Sequence, residues 1–150
     1  MSTRSQIKFM ETRIDKHDEI RMRMYQVYRN SDGYPEGVIP DLYDFFKLCV
    51  PETTPRKEGQ YITGMIHMSQ VISLIRANKL YLSYRDESVG KRYGDEEWLY
   101  EVDITGAKTP DEVLVRYSTD FPKNHAFENA NWSEWYSLGA LYKKISQNRK

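Results

Sequence analysis

Apolar and polar residues alternate with a period of two over 3–10 and 20–28, and each stretch predicts a β-strand with one buried face. Ile7 and Phe9 mark the buried face of the first strand. Ile20, Met22 and Met24 mark that of the second, against Arg21, Arg23 and Tyr25 on the other side. The polar connection 11–19 makes the two an antiparallel hairpin. Leu42, Phe45, Phe46 and Cys49 then recur at spacings of three and four. Residues 38–50 therefore predict an amphipathic helix, with Pro40 and Asp41 in its first turn and Pro51 beyond its end. A longer helix is expected over 60–79, its stripe formed by Ile62, Met65, Met68, Ile72 and Ile75.

Residues 80–84 predict a short strand or extended exit, and 86–94 a polar loop. A second hairpin follows. Residues 97–104 place Trp98, Tyr100 and Val102 on one face, and 112–117 alternate Val113 and Val115 against Leu114 and Arg116. A last helix is expected to begin at a cap on Asn131, with Glu134 reaching back and a stripe of Trp132, Trp135, Leu138, Leu141, Tyr142 and Ile145. The tail from 147 is polar and expected to fray. Two hairpins and about three helices predict an α+β fold, an antiparallel sheet with the helices packed on one face. The other face would stay wet, which suits Arg21, Arg23 and Arg116.

The 150 residues fit a single domain over 1–150, large enough to bury a core, with no repeat or linker. Twenty-two basic residues balance twenty-two acidic ones, so no general attraction to nucleic acid or anionic lipid is expected. The first hairpin is locally basic, but Glu97 and Glu101 on a neighbouring strand would offset it, so nucleic acid is a weak reading. No apolar run could span a bilayer, and no signal-type segment opens the chain. One cysteine, Cys49, excludes an intramolecular disulfide and fits a reducing, cytoplasmic setting. His17, His67 and His125 lack ligand spacing, Cys49 lies on an apolar helix face, and no Ser, His and Asp elbow occurs. A catalytic role is therefore unsupported, and neither cofactor nor bound metal is expected.

The connection 28–37 is the unusual segment: two glycines, a proline, two carboxylates and two tyrosines in one turn. Each has an architectural reason, with Gly33 and Gly37 expected to hold conformations other residues resist and Glu36 to favour the start of the next helix. The same residues form the candidate binding set, Arg4, Tyr28, Arg29, Ser31, Asp32, Tyr34, Glu36 and Asp95, in which carboxylates accept hydrogen bonds while tyrosines stack. An alternative gathers Asp32, Glu36, Asp95 and Glu97 around magnesium, as in an enzyme acting on nucleotides.

Thr3-Arg4 before a strand, the element from Tyr28 to Gly37, and Tyr93-Gly94-Asp95-Glu96-Glu97-Trp98-Leu99-Tyr100 together resemble a family of small proteins of tailed phages and prophages. Members commonly carry histidine at the position of Asn30. The resemblance implies a viral or mobile-element setting and brings no chemistry with it. The expectation is a non-catalytic, phage-type binding protein that engages a host protein, or sequesters a small nucleotide-like ligand, through the 28–37 loop.

Overall fold

The computed structural model describes residues 3–14, 17–29, 32–49, 65–77, 80, 84–87, 97–119 and 130–148. The elements are β1 (Ser5–Ile14), β2 (Ile20–Arg29), α1 (Pro35–Lys47), α2 (Met68–Arg76), β3 (Tyr84–Glu87), β4 (Trp98–Asp103), a 3-10 turn (Pro110–Glu112), β5 (Leu114–Ser118), β6 (Tyr136–Ser137) and α3 (Leu138–Asn148). The fold is α+β, as expected, and the strands lie in the order β3-β2-β1-β4-β5-β6. Both hairpin pairings form, β1 with β2 and β4 with β5. The sheet is nevertheless mixed and not wholly antiparallel. The two hairpins join through β1 and β4, which run parallel from Ser5↔Trp98 to Met10↔Asp103. Parallel neighbours need a long crossover, and the chain that carries α1 and α2 supplies it.

One sheet face carries the core. Ile7, Phe9, Val27, Tyr100, Val102 and Val115 merge there with apolar residues of all three helices in one cluster. Phe9 sits against Phe45 and Phe46, with ring centroids at 6.1 and 6.2 Å. The expected stripe Leu42, Phe45, Phe46 and Cys49 is buried. Its helix starts earlier than expected, however, with Pro35 in the first turn and Pro40 inside. Lacking an N–H, Pro40 cannot bond back to the Glu36 carbonyl one turn earlier.

Ile20, Met22 and Met24 correct the expectation for β2: they are 75%, 55% and 40% exposed. Alternation separates two faces without saying which is buried. Here Tyr25 and Val27, in register with Phe9 and Ile7, take the core side. β1 pairs with β4 only as far as Met10, so β2 residues 20–24 run past the core, and Arg21 and Arg23 are exposed as well.

The opposite face is not wet at its centre, which corrects a second expectation. A row crosses four strands there through the pairings Gln26↔Lys8, Lys8↔Glu101 and Glu101↔Arg116. Gln26, Lys8 and Glu101 are all buried. Glu101 accepts from Lys8 Nζ at 2.7 Å and from Arg116 Nε at 2.6 Å. Arg116 stacks on Trp132 and Trp135 at 4.8 and 4.7 Å from the ring centres. Those tryptophans therefore cover a guanidinium instead of lining the last helix.

The helix ends differ too. α3 begins at Leu138, not at Asn131; Ser137 Oγ accepts from the Ala140 N–H (3.2 Å), and the helix runs on through Asn148. α2 begins at Met68, so His67 lies just before it and not within a helix; the expected positions 60–64 lie outside the described residues. Glu11, buried on β1, accepts the Met68 N–H at 3.1 Å and brings a carboxylate to that helix start. β3 occupies 84–87, where 80–84 was expected to be extended and 86–94 a loop; 81–83 and 88–96 lie outside the described residues. No helix of the described residues is long and apolar enough to cross a membrane.

Two stability measurements test this architecture. Phe9→Ala should cost about 3–5 kcal/mol in urea unfolding, whereas Met22→Gln should stay within about 0.5 kcal/mol of the parent. Burial pushes the Cys49 thiol from 9.0 up to about 12. As pH rises through that window the unfolded chain has lost a proton that the native chain keeps, so stability falls. Cys49→Ala should flatten that fall in urea titrations above pH 9, leaving the part due to the tyrosines whose hydroxyls are also raised, Tyr43, Tyr100 and Tyr136.

Candidate functional site

β2 ends at Arg29 and α1 begins at Pro35, so the chain reverses within a few residues. Asp32 takes the left-handed conformation (φ +50°), which short acidic side chains tolerate. Gly33 and Gly37 were expected to hold backbone conformations that other residues resist, but neither has a positive φ. Space is what demands glycine at both. A Cβ on Gly33 would lie 2.9 Å from the Arg4 carbonyl carbon, Ser5 Cβ and Thr3 O, and one on Gly37 would overlap the Asp32 carbonyl.

Three bonds pin this turn. The Gly33 N–H donates to Thr3 O (3.0 Å), and Tyr100 Oη donates to Gly33 O (2.7 Å) from a buried position. Arg29 closes an ion pair with Asp41 at 2.8 Å, tying the end of β2 to α1. Asp41 thus sits in mid-helix, away from the first turn where it was expected. Tyr34 O then accepts from Gly37 and Val38, starting the helix, with Glu36 in its first turn as anticipated. Burial holds the Tyr100 hydroxyl well above the usual range; Arg29 opposes this and Glu36 adds to it. Tyr100 therefore remains a protonated donor at neutral pH, with Trp98 stacked beside it at 6.2 Å.

What the loop presents outward is a small acidic set. Asp32, Tyr34, Glu36 and Arg4 are exposed, and Tyr34 Oη donates to Asp32 Oδ1 at 2.9 Å. Tyr28 and Arg29, both expected in the binding set, are each only 4% exposed. β2 continues through both, so Tyr28 falls on the second sheet face and Arg29 on the core side. Neither can stack on or grip a ligand at the loop. Ser31 and Asp95 lie outside the described residues.

The Arg4 carbonyl accepts from Glu97 (2.9 Å) and Trp98 (3.3 Å), so residues 3 and 4 hold the loop on one side and the start of β4 on the other. Their backbones converge. Among the described residues, no three of His, Cys, Asp and Glu gather as a metal would require, so Asp32, Glu36 and Glu97 form no such group. Cys49 is buried as expected, although α1 ends two residues before it and it lies on no helix face. The exposed carboxylates can accept hydrogen bonds from a cation, Tyr34 can stack beside it, and phosphate would be repelled. The anchors Tyr100 and Asp41 escaped the sequence reading because both contacts join residues distant along the chain.

Tyr100→Phe isolates the anchor. Removing the hydroxyl strands the Gly33 carbonyl, so urea unfolding should show a loss of about 1–3 kcal/mol. The Gly33 amide should exchange hydrogen faster than in the parent, while core amides of β1 keep their protection relative to the new global stability.

Compared with known protein families, curated proteins and solved structures, the chain gives no match.

Proposed function

We propose that this chain is a non-catalytic binding protein that captures a partner protein through the loop between β2 and α1. The observation that carries the reading is a turn pinned from beneath by Thr3, Tyr100 and the Arg29–Asp41 pair, whose exposed side chains are Asp32, Tyr34 and Glu36. A preorganised loop gives up little conformational freedom on binding. Two carboxylates beside a tyrosine favour an arginine or lysine of the partner, which can pair with the acids and lie over the ring. A nucleotide-like ligand is the weaker form of the reading, because its phosphates would meet the same carboxylates. The resemblance to phage and prophage proteins supports a host protein as that partner, met in the host cytoplasm.

Asp32→Asn, Tyr34→Ala and Glu36→Gln combined should abolish partner capture in pull-downs from host lysate. Because all three side chains are exposed, stability should shift by no more than about 1 kcal/mol. Capture by the parent should weaken as salt rises, the mark of charge pairing in water. Undiminished capture by the triple variant would overturn the reading. A rise in melting temperature with magnesium would favour instead the enzyme built on Asp32, Glu36, Asp95 and Glu97.

A further inference from the structure

Away from that loop, α1 and α3 meet over the 3-10 turn and leave an open groove of about 400 Å³. This is the size range of small-molecule sites. Its making is specific. The rings of Tyr43 and Tyr142 stack in parallel, 4.2 Å between centroids and 1° between planes. Lys47 lies over Tyr43 at 4.8 Å, so that ring is covered by an ammonium and by Tyr142. Tyr43 Oη donates to Asp111 Oδ1 at 3.2 Å, and burial together with that carboxylate raises its pKa, so the donor keeps its proton. Asp111 rests directly on Gly139, where any Cβ would overlap its carboxylate. Lys143, Ser146 and Gln147 complete the wall.

The lining contains no leucine, isoleucine, valine or methionine. Its apolar surface comes from tyrosine rings, side-chain stems and glycine, and its polar groups are one carboxylate, one ammonium, three hydroxyls and a carboxamide. Asp111 and Lys143 in the wall cancel, as do Lys47 and Asp44, paired at 3.7 Å beside Tyr43, so the groove selects neither for an anion nor for a cation. It offers ring surface to a flat C–H face and, around it, donors and acceptors for hydroxyl groups. We propose that this groove is a saccharide-binding site, taking a short stretch of neutral oligosaccharide against Tyr142, with Asp111 and Gln147 bonding its hydroxyls. The proposal does not rest on the β2–α1 loop.

Titration of the ¹⁵N-labelled full chain with maltotriose, chitotriose and xylotriose, with adenosine as the planar non-saccharide comparator, tests it. At least one trisaccharide should shift the amides of Gly139, Lys143 and Ser146 saturably, with a Kd in the range of about 1 mM expected of a shallow site. Asp111→Asn should weaken that binding at least about tenfold, a loss of roughly 1.4 kcal/mol. Ser146→Trp, or Gln147→Trp should the first fold poorly, fills the groove from an exposed position and should abolish it without moving the melting temperature. The loop triple variant should bind the sugar as the parent does. No saturable shift with any of the sugars to about 50 mM, the same shift from adenosine, or shifts that persist in the tryptophan variant would each overturn the proposal.

Discussion

The parallel ladder between β1 and β4 is the constraint on which the other features depend. It sets Ile7 beside Tyr100 and Phe9 beside Val102, joining two local hairpins into one sheet. It also places Thr3 and Arg4 between the turn after β2 and the start of β4, with one carbonyl bonded to each side. Were β4 displaced by a residue, Tyr100 would leave the core face and Gly33 would lose its buried donor. The shape of the exposed loop is thus decided by a pairing between residues more than ninety positions apart.

The polar row on the second face enforces that pairing from behind. Gln26, Lys8, Glu101 and Arg116 meet side by side only in the observed register. Buried ion pairs add little net stability, since desolvation offsets much of their attraction, but breaking one is expensive. A slipped ladder would turn Lys8 or Glu101 toward Phe9 and Val102 without a partner. The row therefore acts chiefly against the wrong sheets.

Elements with strong local periodicity were readable from the chain: the face of Ile7 and Phe9, the stripe of α1, and the hairpin that holds Val102 and Val115. What escaped was whatever depends on partners. Ile20, Met22 and Met24 alternate as a buried face should, yet the core ends before it reaches them. Trp132 and Trp135 follow helical spacing, yet a guanidinium on β5 claims them before α3 starts. The loop drew notice through its composition, but Tyr28 and Arg29 at its edge belong to the sheet. No local rule reveals that a strand runs one residue further than its turn signals suggest.

Leaving Met22 and Met24 in solvent has a chemical consequence. Peroxide can reach both thioethers while the protein stays folded, and the sulfoxides formed there would turn an apolar stripe polar without disturbing the core. Met68, only 1% exposed at the start of α2, is shielded until that helix opens. The order in which these sulfurs oxidise thus separates changes at the surface of the β2 ribbon from opening of the interior.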